Sequence, residues 1–434
     1  MITTDRTSTF PRFLDLAYPS IDRGDGVWLY TDSGRKLLDA CSGGAMVSNL
    51  GHAAPAVVEA GARQAEEIAY MYMDHFTNQP QEDLAARLVR VAAPEMARVR
   101  FASSGSEANE TALRLARQYH VDRGEPERWR VISFAQAYHG STMATLALTG
   151  RARTLQAPYG PYLSPHLHIT PSLRELDEQL EQAGPGTVAA FFCEPVGGAA
   201  HPAYSPPDEF WQGLAQRREK HGFLVCFDEV VTGMGRLGTW FAYQQLPLEP
   251  DIVTVGKGLG AGYAAISAVL CKQHVYDAIA SGSRSFDLGH TWDGAPLSCA
   301  TGIAVLDALV DQRLIERVRV RGPRLLEQLK SALAGIAIVG EVRGRGFLLG
   351  FDLVDPRDGS SFLPAHLDAA HRTEDMALDH GLLIGSTQST PDGYAGDQIL
   401  LAPPFISSDA ELDEMVSQTN AVMREVDAWV SRSL

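Results

Sequence analysis

The sequence predicts an α/β fold, with a mostly parallel central sheet covered by helices and a smaller α+β domain. Short runs of apolar residues recur along the middle of the chain, and helical segments lie between several of them. The apolar residues are consecutive and do not alternate with polar ones, which is typical of strands buried on both faces. Strands that alternate with helices indicate a parallel sheet. The runs are RVRFA (98–102), RVISFA (130–135), VAAFFCEP (188–195), FLVCFDEV (223–230), DIVTV (251–255) and AAISAVL (264–270).

Helices between these strands are indicated by periodicity and by stop signals. The segment SEANETALRLARQYH places small and apolar residues on one stripe, as an amphipathic helix does. The segment PDEFWQGLAQRREKHG ends in basic residues followed by Gly222, a common helix terminus. The stripe consists of Ala108, Ala112, Leu115, Ala116 and Tyr119.

The two ends of the chain differ from the middle. GVWLYTDSGRKLLDA near the N-terminus predicts a hairpin, and the last third alternates long helical segments with the strand-like runs EVRGRGFLLGFDLV and QILLAPPFI. We expect residues 1–60 to pack with a C-terminal small domain, 316–434, while 61–315 form the large domain. At 434 residues the chain is long enough for two cores.

Composition excludes several classes of function. The net charge of −16 disfavours binding to nucleic acid, whose phosphates an acidic surface repels. No apolar run approaches the roughly 20 residues that cross a bilayer, and the N-terminus lacks an apolar signal core, so we expect no membrane association. Five scattered cysteines without a C-x-x-C pair indicate a reduced, cytoplasmic protein. His166 and His168 alternate without a third spaced ligand, so we expect no metal site.

The segment FASSGSEANE follows a strand and opens a helix. Ser104 precedes Glu107 by the spacing of a capping box, and Gly105 permits a tight turn and the close approach of a ligand to the backbone. Free N–H groups and the dipole at a helix N-terminus attract phosphate. The segment is therefore a candidate phosphate loop, although a capped helix alone would also explain it.

Two carboxylates stand at strand ends, where α/β sheets bind ligands. Asp228 follows FLVCF, and Glu194 follows AAFFC. A buried carboxylate is costly unless a cation or hydrogen-bond donors satisfy it. A protonated ring nitrogen would be such a partner for Asp228; a helix cap or an internal ion pair is the alternative.

Lys257 lies among glycines directly after the strand DIVTV. Burial lowers the pKa of a lysine and frees its amine for Schiff-base chemistry. The same segment matches the dinucleotide pattern G-x-G-x-x-A through Gly256, Gly258 and Ala261. That pattern requires a helix next, whereas the next strand-like run already begins at Ala264, which argues against nicotinamide binding.

A lysine, a strand-end carboxylate, a phosphate loop and the aromatic–histidine pair of QAYHG, Tyr138 and His139, together suit pyridoxal phosphate. Its aldehyde matches Lys257, its ring nitrogen matches Asp228, and its flat ring matches Tyr138. Each group on the cofactor thus has a partner of complementary charge or shape.

The sequence resembles the class III (omega) aminotransferases of the fold-type I pyridoxal-phosphate enzymes nearly from end to end. The motifs that carry the resemblance are SSGSEANE, AYHG, EPVGG, DEVVTGMGRLGTWFA, DIVTVGKGLGAG and GHTWDGAPLSCA. The resemblance implies a fold-type I transferase fold, and a homodimer in which each active site is completed by the neighbouring subunit.

The resemblance also implies roles for individual residues. Lys257 would form the Schiff base with the cofactor, Asp228 would hold its ring nitrogen, and Glu194 would be an active-site glutamate. The remaining implied cofactor-binding residues are Ser104, Gly105 and Ser106 around the phosphate, Tyr138 and His139 beside the ring, Val230 beneath it, and Thr291, which reaches the partner's phosphate.

Two positions depart from the family pattern. Many relatives carry an arginine that grips a substrate carboxylate near the place of Gly393 and Tyr394, but this chain has none in 386–397. Asp293 and Ala295 also stand where relatives often carry other residues.

We therefore expect amino transfer from an amine or omega-amino compound to a 2-oxo acid. The alternatives are another pyridoxal-phosphate reaction, such as that of an aminomutase, an epimerase or a decarboxylase, or a catalytically silent binding relative.

Overall fold

The computed structural model describes residues 8–14, 16–150, 156–388 and 396–434. The strands are β1 (Ile21–Asp25), β2 (Trp28–Thr31), β3 (Lys36–Asp39), β4 (Met96–Ala102), β5 (Arg130–Phe134), β6 (Leu167–Ile169), β7 (Val188–Cys193), β8 (Leu224–Asp228), β9 (Ile252–Val255), β10 (Ser267–Lys272), β11 (Val339–Arg345), β12 (Leu348–Leu353), β13 (Leu382–Leu383), β14 (Gly385–Thr387) and β15 (Asp397–Leu401). The α-helices are α1 (Pro55–Glu67), α2 (Gln79–Val91), α3 (Gly105–Asp122), α4 (Met143–Leu148), α5 (Leu173–Ala183), α6 (Asp208–His221), α7 (Gln273–Ser281), α8 (Pro296–Asp311), α9 (Leu314–Leu333), α10 (Ala369–Asp379) and α11 (Asp409–Ser433).

The central sheet has seven strands in the order β4-β10-β9-β8-β7-β5-β6. Neighbouring strands from β9 to β6 are parallel, and β10 runs antiparallel to both β9 and β4. Residues 256–266, which join β9 to β10, are too few for a crossover helix, so the chain returns antiparallel. The expected mostly parallel sheet is confirmed.

Both faces of this sheet are buried, as the uninterrupted apolar runs predict. In β7, Ala190 and Phe192 join a core with α3, while Phe191 and Cys193 join another core on the opposite face. Alternate side chains of a strand point to opposite faces, so a strand between two layers of helices must be apolar throughout.

The smaller lobe uses both ends of the chain. The N-terminal hairpin β2–β3 is present as expected, and β3 pairs in parallel with β13 from the C-terminal part. A second sheet has the order β11-β12-β15-β14. The expected α+β lobe is thus confirmed, whereas the domain boundaries at residues 60 and 315 stay a prediction.

Arg236, from the segment after β8, connects the central sheet to this lobe and is almost completely buried. Its guanidinium donates to the carbonyls of Phe347 (3.1 Å) and Pro403 (2.7 Å) and to Ser42 Oγ (3.0 Å). It also lies 4.5 Å from the centre of the Phe405 ring. Burial lowers the pKa of Arg236 to about 10, so the side chain remains charged at neutral pH. One cation therefore holds together segments from both chain ends.

We predict that Arg236→Met lowers the free energy of unfolding by about 3 kcal/mol, because buried carbonyls lose their donors. Urea-induced unfolding measures the change. Arg174→Met is the matched control, since Arg174 makes an exposed pair with Glu178 and should change stability by less than about 0.5 kcal/mol. Equal losses in the two variants would contradict the connecting role of Arg236.

Candidate active site

Three of the sequence-predicted residues lie at one edge of the central sheet. Asp228 ends β8, Glu194 directly follows β7, and Lys257 comes two residues after β9. Strands β7, β8 and β9 are adjacent and parallel, so their C-terminal ends open on the same side. This edge is where α/β sheets bind ligands.

The candidate phosphate loop lies at the same edge. Ser104 caps α3 in a capping box with Glu107, as predicted, through bonds of 3.2 and 3.1 Å. Ser106 Oγ accepts a hydrogen bond from the backbone of Ser141. A Cβ added to Gly105 would lie 2.9 Å from Cγ1 of Val230, two residues beyond Asp228. The positive end of the α3 dipole therefore adjoins the segment that follows Asp228.

Lys257 begins a 3₁₀ turn, Lys257–Leu259, with a φ of 40° that is unfavourable for a residue with a Cβ. Burial lowers the pKa of its amine, while Asp228 and Glu194 oppose that shift. Nζ makes no hydrogen bond within the part of the chain that the structure describes. The glycines beside it serve close packing: a Cβ on Gly258 would lie 2.9 Å from Nδ2 of Asn49.

Asp228 is buried and accepts several hydrogen bonds. Oδ2 receives Asn109 Nδ2 at 2.7 Å and contacts His139 Nδ1 at 2.9 Å. Oδ1 receives the backbone N–H of Val230 at 3.0 Å. Nε2 of His139 is buried and has no hydrogen-bond partner among the described residues. The network is therefore arranged to stabilise a carboxylate rather than a carboxylic acid.

Glu194 accepts two backbone hydrogen bonds, from Gly198 (2.9 Å) and Tyr138 (3.2 Å). Burial raises the pKa of its carboxyl group. The bond to Tyr138 fixes the backbone that carries this aromatic residue, whose exposed side chain contacts Ser141 Oγ through its hydroxyl. Glu194 and the AYHG motif therefore form one polar unit beside Asp228.

Glu229 differs from its neighbour Asp228. Its carboxylate points into the following loop, where it accepts bonds from the backbones of Ala242 and Tyr243 and from the Thr232 hydroxyl. Burial raises the pKa of Glu229 to about 7. Consecutive residues at a strand end face opposite sides, so this acid organises a loop and only Asp228 faces the site.

The sequence analysis missed two buried residues of this network, Asn109 and Thr254. Asn109 joins Asp228 to His139, and its Oδ1 accepts the Thr254 hydroxyl at 2.7 Å. A signal was present, because Asn109 lies within SSGSEANE beside Ala108 on the buried stripe of α3. A polar residue there needs buried partners.

Other predicted positions lie apart from this cluster. Thr291 is exposed at the start of a turn that precedes α8. Gly393 and Tyr394, where the substrate arginine of relatives is expected, lie outside the described residues.

Among residues that the structure describes, no three His, Cys, Asp or Glu side chains are grouped to hold a metal ion. Within the same residues, no helix has the length and apolar character needed to cross a bilayer.

Comparison with known proteins identifies the family. The model of the class-III aminotransferases matches residues 15–423. This chain belongs to the class III aminotransferases. It is 32% identical to gamma aminobutyrate transaminase 2 of Solanum lycopersicum, over 96% of this chain and 94% of that protein.

Two solved structures extend the comparison. An (S)-enantioselective omega-transaminase from Thermomicrobium roseum aligns with a TM-score of 0.89 and 32% identity, over 97% of this chain and 96% of its own. An amine transaminase from an uncultivated Pseudomonas species, in its PLP-bound form, aligns with a TM-score of 0.86 and 35% identity, over 94% and 95%. This aminotransferase is thus a pyridoxal-phosphate enzyme, as predicted.

The residues at the sheet edge fit this cofactor. The Lys257 amine has a lowered pKa and no hydrogen bond to other described residues, which suits condensation with an aldehyde. The donors around Asp228 suit a carboxylate that faces a protonated ring nitrogen. The capped start of α3 offers backbone N–H groups to a phosphate.

We predict that Gly105→Ala weakens pyridoxal-phosphate binding about tenfold, equivalent to about 1.4 kcal/mol, because the new methyl group must displace Val230. Titration of the apoenzyme with the cofactor, followed by protein fluorescence, measures the affinity. Gly186→Ala is the matched control, since a Cβ there meets nothing within 4 Å. Equal affinities in the two variants would argue against a role of Gly105 in the cofactor site.

Proposed function

We propose that this enzyme transfers an amino group from an amine or omega-amino compound to a 2-oxo acid, with the cofactor attached covalently to Lys257. The observation that carries the proposal is the environment of Lys257. Its amine has a lowered pKa, makes no hydrogen bond to the described residues, and follows β9, the strand next to the one that ends in the buried Asp228.

Bound pyridoxal phosphate supplies a carbonyl that condenses with amines and a ring that accepts an electron pair. Lys257 Nζ, once free, is the base that accepts the proton from the amine-bearing carbon of the donor. Asp228 holds a proton at the ring nitrogen by remaining ionised. Ser104, Gly105 and Ser106 bind the phosphate at the start of α3.

The other site residues fix the position of the ring. The aromatic side chain of Tyr138 and the branched side chain of Val230 pack against it. Glu194 holds the backbone of Tyr138, to which it is bonded at 3.2 Å. His139 donates from Nδ1 to Asp228, which favours the ionised carboxylate.

The proposed amino donor follows from the absence of an arginine in the segment that binds a substrate carboxylate in many relatives. No arginine lies between Arg372 and Arg424, so the stretch that grips a substrate carboxylate in many relatives has no cation of that kind. A donor whose carboxylate is distant or absent does not need it. Relatives named gamma aminobutyrate transaminase and omega-transaminase support this choice.

We further propose a homodimer with shared active sites, in which Thr291 reaches the phosphate bound by the partner. Thr291 is exposed, and its neighbour Trp292 is 59% exposed. The centre of the Trp292 ring system lies 5.7 Å from the centre of the Tyr70 ring. Large exposed aromatic side chains beside this turn are typical of a subunit interface.

We predict that borohydride reduction of the holoenzyme attaches the cofactor to the peptide that contains Lys257, as mass spectrometry will detect. Lys257→Arg should abolish the attachment, because a guanidinium does not condense with the aldehyde. Lys272→Arg is the matched control, since Lys272 is buried but already pairs with Glu95 and Glu249. Attachment at another lysine would overturn the role of Lys257.

We predict that amines and omega-amino acids convert the bound cofactor to its amine form at least about tenfold faster than alpha-amino acids do. The difference corresponds to at least about 1.4 kcal/mol of transition-state binding. Absorbance spectra of the half-reaction, without any oxo acid, give the rates, and each turnover must release one carbonyl product. An aminomutase or an epimerase would instead return an isomer of the donor and release no carbonyl product.

A further inference from the structure

We infer that Asn109 is a positioning residue that fixes the carboxylate of Asp228 and sets its distance from the segments that carry the phosphate loop and Lys257. The inference rests on the proposed role of Asp228 at the ring nitrogen. It goes beyond that role by naming the side chain that orients the acid.

The orientation of the Asn109 amide is determined by its acceptors. Nδ2 donates to Asp228 Oδ2 and to the backbone carbonyl of His139, both at 2.7 Å. A flipped amide would direct its oxygen at a carboxylate and a carbonyl, two acceptors that cannot donate to it. The Thr254 hydroxyl donates to Oδ1 at 2.7 Å and completes the arrangement. Since all of these groups are buried, an unmade bond has no solvent to replace it.

One side chain therefore connects the segments that hold the cofactor. Asn109 lies in the first turns of α3, which begins at the phosphate loop. Asp228 ends β8, and Thr254 lies in β9, three residues before Lys257. Two of these hydrogen bonds form a chain toward the acid, from Thr254 to Asn109 and from Asn109 to Asp228, so the first polarises the second.

A count of lone pairs indicates which carboxylate oxygen remains available. Each oxygen of a carboxylate offers about two acceptor positions. Oδ2 of Asp228 is filled by Asn109 and His139, whereas Oδ1 receives, from the described residues, only the N–H of Val230. The open position is on Oδ1, and it is the one that suits a ring N–H. Asn109 thus directs the cofactor to Oδ1 by occupying Oδ2.

The decisive variant is Asn109→Asp, which keeps the shape of the side chain but replaces both donors with an acceptor. If Asn109 only fills space, the variant should behave like the wild type, and Asn109→Ala should be worse. If Asn109 acts by donation, Asn109→Asp should be worse than Asn109→Ala, because two carboxylates would then face each other.

The first readout is the pH midpoint of the visible band of the holoenzyme, which does not depend on turnover. When Asp228 loses the hydrogen bond that positions its carboxylate, it stabilises the proton on the ring nitrogen less. Less positive charge then acts on the carbon–nitrogen group that joins the cofactor to the lysine. We expect the midpoint to rise by about half a unit in Asn109→Ala and by more in Asn109→Asp. The titratable groups near Asp228 include His139, Lys257, Glu194, Glu229 and Cys193, and none of them is changed by these substitutions.

The second readout is cofactor affinity of the apoenzyme, which we expect to fall about tenfold in Asn109→Ala and further in Asn109→Asp. Thr254→Val removes only the hydroxyl that orients the amide, so it should shift both readouts less than Asn109→Ala does. It replaces Asn109→Asp as the test if that variant does not fold. Thr111→Val is the matched control on the same helix, because within the described part of the chain the buried hydroxyl of Thr111 donates only to the carbonyl of Glu107.

The outcomes separate the inference from the proposed function. If the wild-type holoenzyme shows no visible band that changes with pH, the proposed attachment of the cofactor at Lys257 is wrong. A titrating wild type with the same midpoint and affinity in Asn109→Asp would overturn the role of Asn109 alone. If Thr111→Val and Asn109→Ala shift the midpoint and the affinity equally, the effect comes from a general loosening of α3. That result would also overturn the role of Asn109.

Discussion

The candidate active site is organised around one carboxylate in the interior of the protein. An isolated buried carboxylate costs several kcal/mol, so Asp228 is compatible with this fold only because donors surround it. Those donors come from α3, from the AYHG segment and from the residues just after β8. The electrostatic requirement of a single side chain therefore fixes the mutual positions of three segments that are distant in sequence.

The sheet makes this arrangement possible. Parallel strands bring their C-terminal ends to one edge, so Glu194, Asp228 and Lys257 become neighbours although more than twenty residues separate each from the next. The apolar interiors of β7, β8 and β9 remove water from beneath them. The same lack of water lowers the pKa of the Lys257 amine and raises that of the Glu194 carboxyl group, because burial disfavours both charged forms.

The smaller lobe is joined to this edge by a second buried charge. Arg236 follows Asp228 by eight residues and binds backbone carbonyls from the C-terminal part and a hydroxyl from the N-terminal part. Two charged residues of one segment thus have different tasks. Asp228 lies in the candidate active site, and Arg236 fixes the lobe that both chain ends build.

The sequence alone determined the sheet, its buried strands and the capped start of α3, and it singled out Lys257 and Asp228 as candidate site residues, because periodicity, capping and charge at strand ends are local properties. It did not predict the antiparallel direction of β10, although the short connection from β9 requires it. Nor did it reveal that Asn109 donates to Asp228 and is itself oriented by Thr254, or that Glu229 accepts hydrogen bonds from the loop that follows β8. Only the tertiary structure decided these points, because the partners of a buried polar group come from other segments of the chain, and folding alone brings them within hydrogen-bond distance.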